Sequence, residues 1–170
     1  MIIGIVGKAG SGKDAVGKWF SSEMGFCRFA FADAIKKIAT QYFLWDGLKD
    51  ERGRKLLQDI GDVGLSYNRD VWIEALDEHI RWSMRDDTRI HNVVVTDVRL
   101  VSEADYVKIN NGYLIRIEGR GGLEGEVATH PTETEMDSIT ADFTVTNDGS
   151  LGDLYEQLKR IHVDIYNREQ

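Results

Sequence analysis

The strongest constraint on the fold of this chain is a short apolar run that ends directly in a glycine-rich turn. Residues 2–6 read Ile-Ile-Gly-Ile-Val, which is typical of a strand buried on both faces. Residues 7–14 then read Gly-Lys-Ala-Gly-Ser-Gly-Lys-Asp, and a helical pattern follows from about Gly12 to Met24. A strand, a glycine-rich turn and a helix in this order are the local arrangement of a phosphate-binding loop.

The turn fits the phosphate-loop (P-loop) pattern G-x-x-x-x-G-K, in which each residue type has a physical role. Glycines let backbone N–H groups converge as an anion-binding nest, and the helix that follows adds its positive end. The Lys13 ammonium can reach the β- and γ-phosphates of a nucleotide. The alternative is a strand-to-helix turn without a ligand. The phosphate-binding interpretation selects Gly7, Gly10, Ser11, Gly12, Lys13, Asp14 and Ala15.

Asp14 stands where the P-loop pattern normally has Ser or Thr, whose hydroxyl binds Mg²⁺. A carboxylate could bind the metal directly or through a water, and it would repel phosphate if the metal were absent. The alternative is an acid in the first turn that favours the helix N-terminus. The two roles are compatible, so Asp14 is a predicted Mg²⁺ ligand.

Strands and helices alternate along the rest of the chain. This order predicts βαβ units and an α/β fold in which helices cover both faces of a central parallel sheet, the three-layer sandwich of P-loop NTPases. Ligands in such folds bind beyond the carboxyl ends of the strands. The predicted strands are 26–31, 93–95, 113–117 and 143–145, and the predicted helices are 32–45, 50–61, 69–84, 103–109 and one that begins after Ser150.

Length and composition exclude several classes of protein. The chain has 170 residues, which predicts one domain. Its 21 Lys and Arg against 29 Asp and Glu give a net charge of −8, which argues against a nucleic-acid partner because phosphates need cations. Cys27 is the single cysteine, which rules out a disulfide scaffold. No apolar run approaches the ~20 residues of a membrane span. The first residues do not resemble a signal peptide. We expect a cytoplasmic protein without a membrane partner.

A second set of polar residues follows the β-branched run 93–95. Asp97 stands where an acid would orient magnesium waters or hold an arginine, and Arg99 could clamp a phosphate with two hydrogen bonds. Glu103, four residues further on, could orient that arginine. The alternative is that Asp97 and Arg99 only pair with each other at the edge of the sheet.

Together these segments resemble the deoxynucleoside monophosphate kinases of tailed bacteriophages. The resemblance touches nearly the whole chain, and the order and spacing of its segments are more specific than any one of them except the phosphate loop. The matching segments are 7–14, Phe-Ala-Asp-Ala-Ile-Lys at 31–36, Arg-Lys-Leu-Leu-Gln-Asp-Ile-Gly at 54–61, Asp-Val-Arg at 97–99 with Glu103, His-Pro-Thr-Glu at 130–133, and Asn-Asp-Gly at 147–149.

The resemblance implies transfer of a phosphoryl group from ATP to a deoxynucleoside monophosphate, with Mg²⁺ as cofactor. It places an acceptor-binding helical segment at about 46–86. The chain departs from the family pattern at two positions, where Ala15 and Asp62 stand in place of Thr. Of the family's properties, the preference for a particular base is therefore the one that the resemblance predicts least for this chain. The acceptor-binding residues implied are Asp33, Lys36, Arg54, Lys55, Gln58, Gly61, Asp62, Trp72, Asp97, Arg99 and Glu103.

Several of these residues keep a second interpretation. Arg54 and Lys55 could belong to a solvated charged face, Asp33 and Lys36 could be an N-terminal acid and a surface lysine, and Trp72 could be a core residue.

Two loops complete the expectation. The glycine-rich loop at about 119–130 could close over the phosphates as a lid, with Arg120 as a catalytic cation beside Lys13 and Arg99; an exposed loop arginine is the alternative. The segment from Asn147 to Ser150 is where kinases of this class hold adenine, or else a plain turn.

Two rival functions and one question of assembly stay open. The rivals are a dephospho-coenzyme A or phosphomevalonate kinase, and a nucleotide-binding module or ATPase without an acceptor. The partners expected are small molecules, and a homodimer stays open.

Overall fold

Five strands form one sheet in the computed structural model, which describes residues 1–119 and 135–169. The strands are β1 (Ile2–Val6), β2 (Cys27–Phe29), β3 (Val93–Val98), β4 (Tyr113–Gly119) and β5 (Phe143–Asn147). Their order across the sheet is β2-β3-β1-β4-β5, so the first strand lies at the centre. The pairings of β1 with β3, β1 with β4, and β4 with β5 are all parallel, as predicted.

Helices connect the strands along the described part of the chain. They are α1 (Lys13–Glu23), α2 (Ala32–Phe43), α3 (Glu51–Tyr67), α4 (Val71–Asp86), α5 (Val101–Ile109) and α6 (Leu151–Arg168). The chain divides into two compact units. We call residues 1–28 with 90–170 the sheet unit, and residues 29–89 the helical unit.

Alternate residues of β1 face opposite sides of the sheet, and both sides are covered. Ile3 and Ile5 are fully buried in a cluster with residues of α1 and α6. A Cβ on Gly4, which points to the other side, would lie 2.9 Å from Leu114 Cδ2 and 3.0 Å from Val107 Cγ2 on α5. Each buried Ile contributes about 1.5–3 kcal/mol to folding. The three-layer arrangement predicted from the sequence is therefore confirmed.

The helical unit is held together by contacts among α2, α3 and α4. Trp72 of α4 is 8% exposed, and its indole N–H donates to the Gly61 carbonyl of α3 at 3.1 Å. A Cβ on Gly64 would lie only 2.3 Å from the indole ring. A glycine in this helix therefore lets α4 approach α3 closely, at a cost of about 1 kcal/mol in helix propensity.

The main difference from the predicted bounds is the length of α3. The helix was predicted to end at Gly61 but continues to Tyr67. Gly61 and Gly64 lie in its interior, because tertiary contact with Trp72 outweighs the helix-breaking tendency of glycine. The segment around Gly61 is consequently helical rather than a loop.

Smaller differences occur at other element ends. Helix α1 begins at Lys13 because Gly12 has a φ of 103°, outside the helical region. Strand β2 is shorter than predicted, whereas β3 and β5 continue to Val98 and Asn147.

Candidate active site

The glycine-rich turn adopts backbone angles that require its glycines. Gly10 has a φ of 79° and Gly12 a φ of 103°, both in the left-handed region that side chains disfavour. The Ser11 N–H donates to the Lys8 carbonyl at 3.1 Å, which closes a tight turn between β1 and α1. The turn therefore has the strand before it and the helix after it that a phosphate loop needs.

The Lys13 side chain lies over the turn from which it comes. Its Nζ donates to the Gly7 carbonyl and to the Lys8 carbonyl at 2.7 Å. The ammonium is thus held at the loop by two carbonyl oxygens, so a triphosphate that binds the loop would meet a cation already in place.

Asp14 and Ala15 follow Lys13 in the first turn of α1. Asp14 is exposed at the N-terminal end of the helix, where a carboxylate is favourable by about 0.3–1 kcal/mol. Ala15 is partly buried and packs against the core of the sheet unit. The first turn therefore presents one carboxylate to solvent beside the loop.

Asp97 lies at an irregularity in β3. The register pairs Gly4 with Val95 and Val6 with Val98, so β3 contains one more residue than β1 over this stretch. Such a bulge twists the strand and changes the direction of its side chains. Asp97, which is half-buried, is one of the two residues between the paired positions.

The donor set of the described residues fits a magnesium ion held mainly by a nucleotide. No group of three or more His, Cys, Asp or Glu side chains that could hold a metal occurs within residues 1–119 and 135–169. Mg²⁺ commonly takes one or two protein carboxylates and completes its octahedron with phosphate oxygens and water. Asp14 and Asp97 can provide carboxylates of this kind.

Glu103 holds the backbone next to Asp97. Its Oε2 accepts the N–H groups of Arg99 at 2.7 Å and Leu100 at 3.1 Å. The residue is 7% exposed, and burial raises the pKa of its carboxyl to about 8, with repulsion from Asp97 as the second cause. Glu103 thus fixes the turn from which Arg99 projects.

Asn147 ends β5 with its side chain against the phosphate loop. The side-chain Nδ2 donates to the Ser11 carbonyl at 2.8 Å, and the residue is 7% exposed. The sequence predicted a residue that contacts the nucleotide from a turn. In the structure this side chain contacts the loop itself.

Four predicted acceptor residues lie together on the exposed surface of α3. Arg54, Gln58 and Asp62 are spaced by four residues, which places them on one face of the helix, and Lys55 is beside them. Lys55 forms an ion pair with Asp59. This exposed surface offers cations, an amide and carboxylates.

Another two predicted acceptor residues pair within α2. Lys36 Nζ lies 3.1 Å from Asp33 Oδ1, and both side chains are partly buried. The remaining one on α4, Trp72, is buried against Gly61 and Gly64, which favours its interpretation as a core residue. Eight of the predicted acceptor residues therefore belong to the helical unit, and Asp97, Arg99 and Glu103 belong to the sheet unit.

Arg120 and the rest of the predicted lid beyond Gly119 lie outside the described residues.

Sequence reasoning missed two residues that position the site, Gly17 and Thr96. Gly17 of α1 lies so close to β3 that a Cβ there would be 2.4 Å from Thr96 Cγ2. A glycine in the interior of a helical pattern is a signal of close approach, and it was available in the sequence.

Solved structures of two kinases share this architecture. A dephospho-CoA kinase from Campylobacter jejuni is similar with a TM-score of 0.57 and 15% identity, covering 99% of this chain and 98% of that one. A shikimate kinase from Aquifex aeolicus is similar with a TM-score of 0.53 and 17% identity, over 99% and 98%. These likenesses show that the chain has the P-loop NTPase fold.

Sequence comparison defines the family. The model of the family described as deoxynucleotide monophosphate kinase matches residues 48–158. A protein of Acanthamoeba polyphaga mimivirus, provisionally named a deoxynucleotide monophosphate kinase, is 31% identical over 93% of this chain and 94% of its own length. The chain belongs to the deoxynucleotide monophosphate kinase family, as the resemblance implied. Among the described residues, no helix has the length and apolarity to cross a bilayer.

Proposed function

We propose that this kinase transfers the γ-phosphoryl group of ATP to a deoxynucleoside monophosphate, giving the deoxynucleoside diphosphate and ADP. The observation that carries the proposal is the family match over residues 48–158. The same chain has a phosphate loop whose carbonyl oxygens accept hydrogen bonds from the Lys13 ammonium. In this reaction the oxygen of the acceptor phosphate forms a bond to the γ-phosphorus as the bond to the β-phosphate oxygen breaks. Positioning and charge neutralisation supply most of the catalysis.

The sheet unit binds the donor in this proposal. Backbone N–H groups of the loop, including Gly7, Gly10, Ser11 and Gly12, bind the β- and γ-phosphates, while the Lys13 ammonium neutralises the charge that develops between them. Support for Lys13 comes from its position over the loop carbonyls. Arg99 of the same unit is proposed to bind the acceptor phosphate by its guanidinium fork, and Glu103 accepts the backbone N–H of Arg99.

The helical unit contributes eight of the eleven proposed acceptor residues. Arg54, Lys55 and Gln58 are proposed to bind the phosphate and an edge of the base, with Asp62 as the residue most able to change base preference. Their exposure on one surface of α3 supports this assignment. Asp33 and Lys36 are proposed to border the same ligand, and Trp72 with Gly61 shapes the helix that holds it.

Three further parts complete the proposal. Asp14 and Asp97 would hold Mg²⁺, which when bound would supply positive charge next to the phosphates. Arg120 is proposed as a cation from the lid. The enzyme is expected to act in the cytoplasm on small molecules and without a nucleic-acid partner, and a homodimer stays open.

An acceptor panel tests the proposed reaction. ADP formation from MgATP is measured with each common deoxynucleoside and ribonucleoside monophosphate, with dephospho-coenzyme A and phosphomevalonate, and with no acceptor. We expect phosphorylation of at least one deoxynucleoside monophosphate well above the rate without acceptor. Transfer only to a non-nucleotide, or ATP turnover that no acceptor changes, would contradict the proposal.

A further inference from the structure

We infer that Asn147 is a positioning residue that fixes the orientation of one peptide group in the phosphate loop and so determines the affinity for a triphosphate. The inference rests on the proposed function, because it concerns how the same loop binds its donor. It assigns to Asn147 a role through the loop rather than a contact with adenine.

The first step is the hydrogen bond itself. Asn147 Nδ2 donates to the carbonyl oxygen of Ser11 at 2.8 Å, across 136 residues of sequence. Both residues are buried, with Ser11 at 2% and Asn147 at 7% exposure. A buried hydrogen bond of good length stabilises one arrangement of its partners, since its loss leaves a buried polar group without compensation.

The second step is the geometry of the peptide group between Ser11 and Gly12. A trans peptide is planar, so its carbonyl and its N–H point in opposite directions. A bond that fixes the Ser11 carbonyl toward Asn147 therefore fixes the Gly12 N–H away from Asn147. In a phosphate loop, the direction of such N–H groups decides whether an anion can be bound.

The third step is that this peptide group is easily turned. Turning it changes ψ of Ser11 and φ of Gly12. Gly12 has a φ of 103°, and glycine has little steric preference between alternative φ regions. The Ser11 hydroxyl does not provide an anchor, because Oγ has no hydrogen-bond partner among the described residues. The carbonyl bond to Asn147 is thus the side-chain contact that opposes rotation.

The fourth step is that Asn147 is itself held in place. Its backbone is in register with Gly119 of β4. A Cβ on Gly12 would lie 2.4 Å from Asn147 Nδ2, so the amide is in close contact with the loop. A side chain on a rigid strand positions its partner more precisely than one on a loop.

The test compares two ligands and three variants. Affinities for ATP and for inorganic tripolyphosphate are measured by calorimetry with wild type, Asn147→Ala, Asn147→Asp and Gln157→Ala. Asn147→Asp conserves volume but cannot donate to the carbonyl at neutral pH. Gln157→Ala is the matched control. It removes the two hydrogen bonds, of 3.0 and 2.9 Å, between the Gln157 side chain of α6 and the backbone of Thr146, the residue before Asn147, and neither bond involves the loop.

We expect both Asn147 variants to weaken ATP and tripolyphosphate alike, by about tenfold, with little change for Gln157→Ala. Weaker binding of ATP alone would overturn the inference, because it would indicate a contact with adenine. Unchanged affinities, or equal losses in all three variants, would also overturn it. If wild type binds neither ligand, the proposed function fails, whereas the other negative results leave it intact.

A measurement on wild type keeps the inference testable if the variants do not fold. The scalar coupling across the hydrogen bond from Asn147 Nδ2 to the Ser11 carbonyl carbon is recorded by NMR with and without tripolyphosphate. We expect the coupling to persist in the complex. Its loss on binding would overturn the inference, because the loop would then bind phosphate with this peptide group released.

Discussion

The Glu103 carboxylate accepts a hydrogen bond of 2.7 Å from the backbone N–H of Arg99. The contact joins the first turn of α5 to the end of β3, and it places a buried acid beside a residue proposed to bind phosphate. The pKa of this acid is raised to about 8, first by burial and then by repulsion from Asp97. Glu103 therefore affects both the backbone conformation at Arg99 and the way the stability of the protein depends on pH.

Stability should depend on pH through Glu103. Between its ordinary pKa of 4.5 and its native value of about 8, the native protein keeps a proton that the unfolded chain releases. The free energy of unfolding therefore falls as pH rises through this window, with a slope of at most about 1.4 kcal/mol per pH unit. In Glu103→Gln, whose amide oxygen can accept the same two N–H bonds, this contribution is absent.

Urea unfolding of wild type and Glu103→Gln at several pH values between 5 and 8 measures the effect. The variant should gain stability relative to wild type as the pH rises. A difference between the two proteins that is constant with pH would show that the carboxyl is already ionised at pH 5 in the native state.

Lys13→Met should lower kcat for phosphoryl transfer by about 100-fold or more, because it removes the cation proposed to neutralise the transferring group. The Lys13 ammonium donates to two carbonyls of a partly solvated loop rather than to the core, so the melting temperature should change little. Lys18→Met is the control, since Lys18 is an exposed lysine of the same helix. Equal kcat values for the two variants would show that Lys13 is not a catalytic residue.

Two glycines of α3 should respond oppositely to the same substitution. Gly64→Ala would bring Cβ to 2.3 Å from the Trp72 ring and should destabilise the protein by about 1–3 kcal/mol. A Cβ on Gly61 would meet Ile35 Cδ1 at 3.5 Å, an ordinary contact, so Gly61→Ala should be neutral or stabilising by up to about 1 kcal/mol. Thermal unfolding of both variants measures the difference, and equal effects would contradict the close approach of Trp72.

Acid should weaken the packing of α6 through His162. Its ring lies 6.4 Å from that of Phe20 and 6.2 Å from that of Phe26, and burial lowers the pKa of its imidazole below the ordinary 6.5. As pH falls below 6.5, the unfolded chain takes up a proton more readily than the native one, so stability is lost. His162→Phe should lack this loss between pH 7 and 5. Parallel stability curves for the two proteins would refute the effect.

The sequence predicted the parts of the fold that depend on local pattern. The apolar run at 2–6, the glycine turn and the β-branched run at 93–95 each became a strand or loop where expected. The length of α3 was underestimated because the helix continues through Gly61 and Gly64, where contact with Trp72 outweighs the low helix propensity of glycine. Local pattern thus predicted the order of elements better than their ends.

The sequence predicted which residues belong to the candidate site but not the contacts that they make. Lys13 and Asp14 could be predicted because the phosphate-loop motif consists of a few consecutive residues. The bulge at Asp97 depends on pairing with β1, and the bond from Asn147 to Ser11 joins the two ends of the sheet unit. No periodicity along the chain carries information about such distant pairs.

The central position of β1 has a consequence for synthesis on the ribosome. Both neighbours of this strand, β3 and β4, come from the second half of the chain, after the entire helical unit has been translated. The nascent apolar segment must therefore wait without strand partners until Val93 and the residues after it leave the exit tunnel. Such an interval favours chaperone capture and makes slow assembly of the sheet the step most exposed to aggregation.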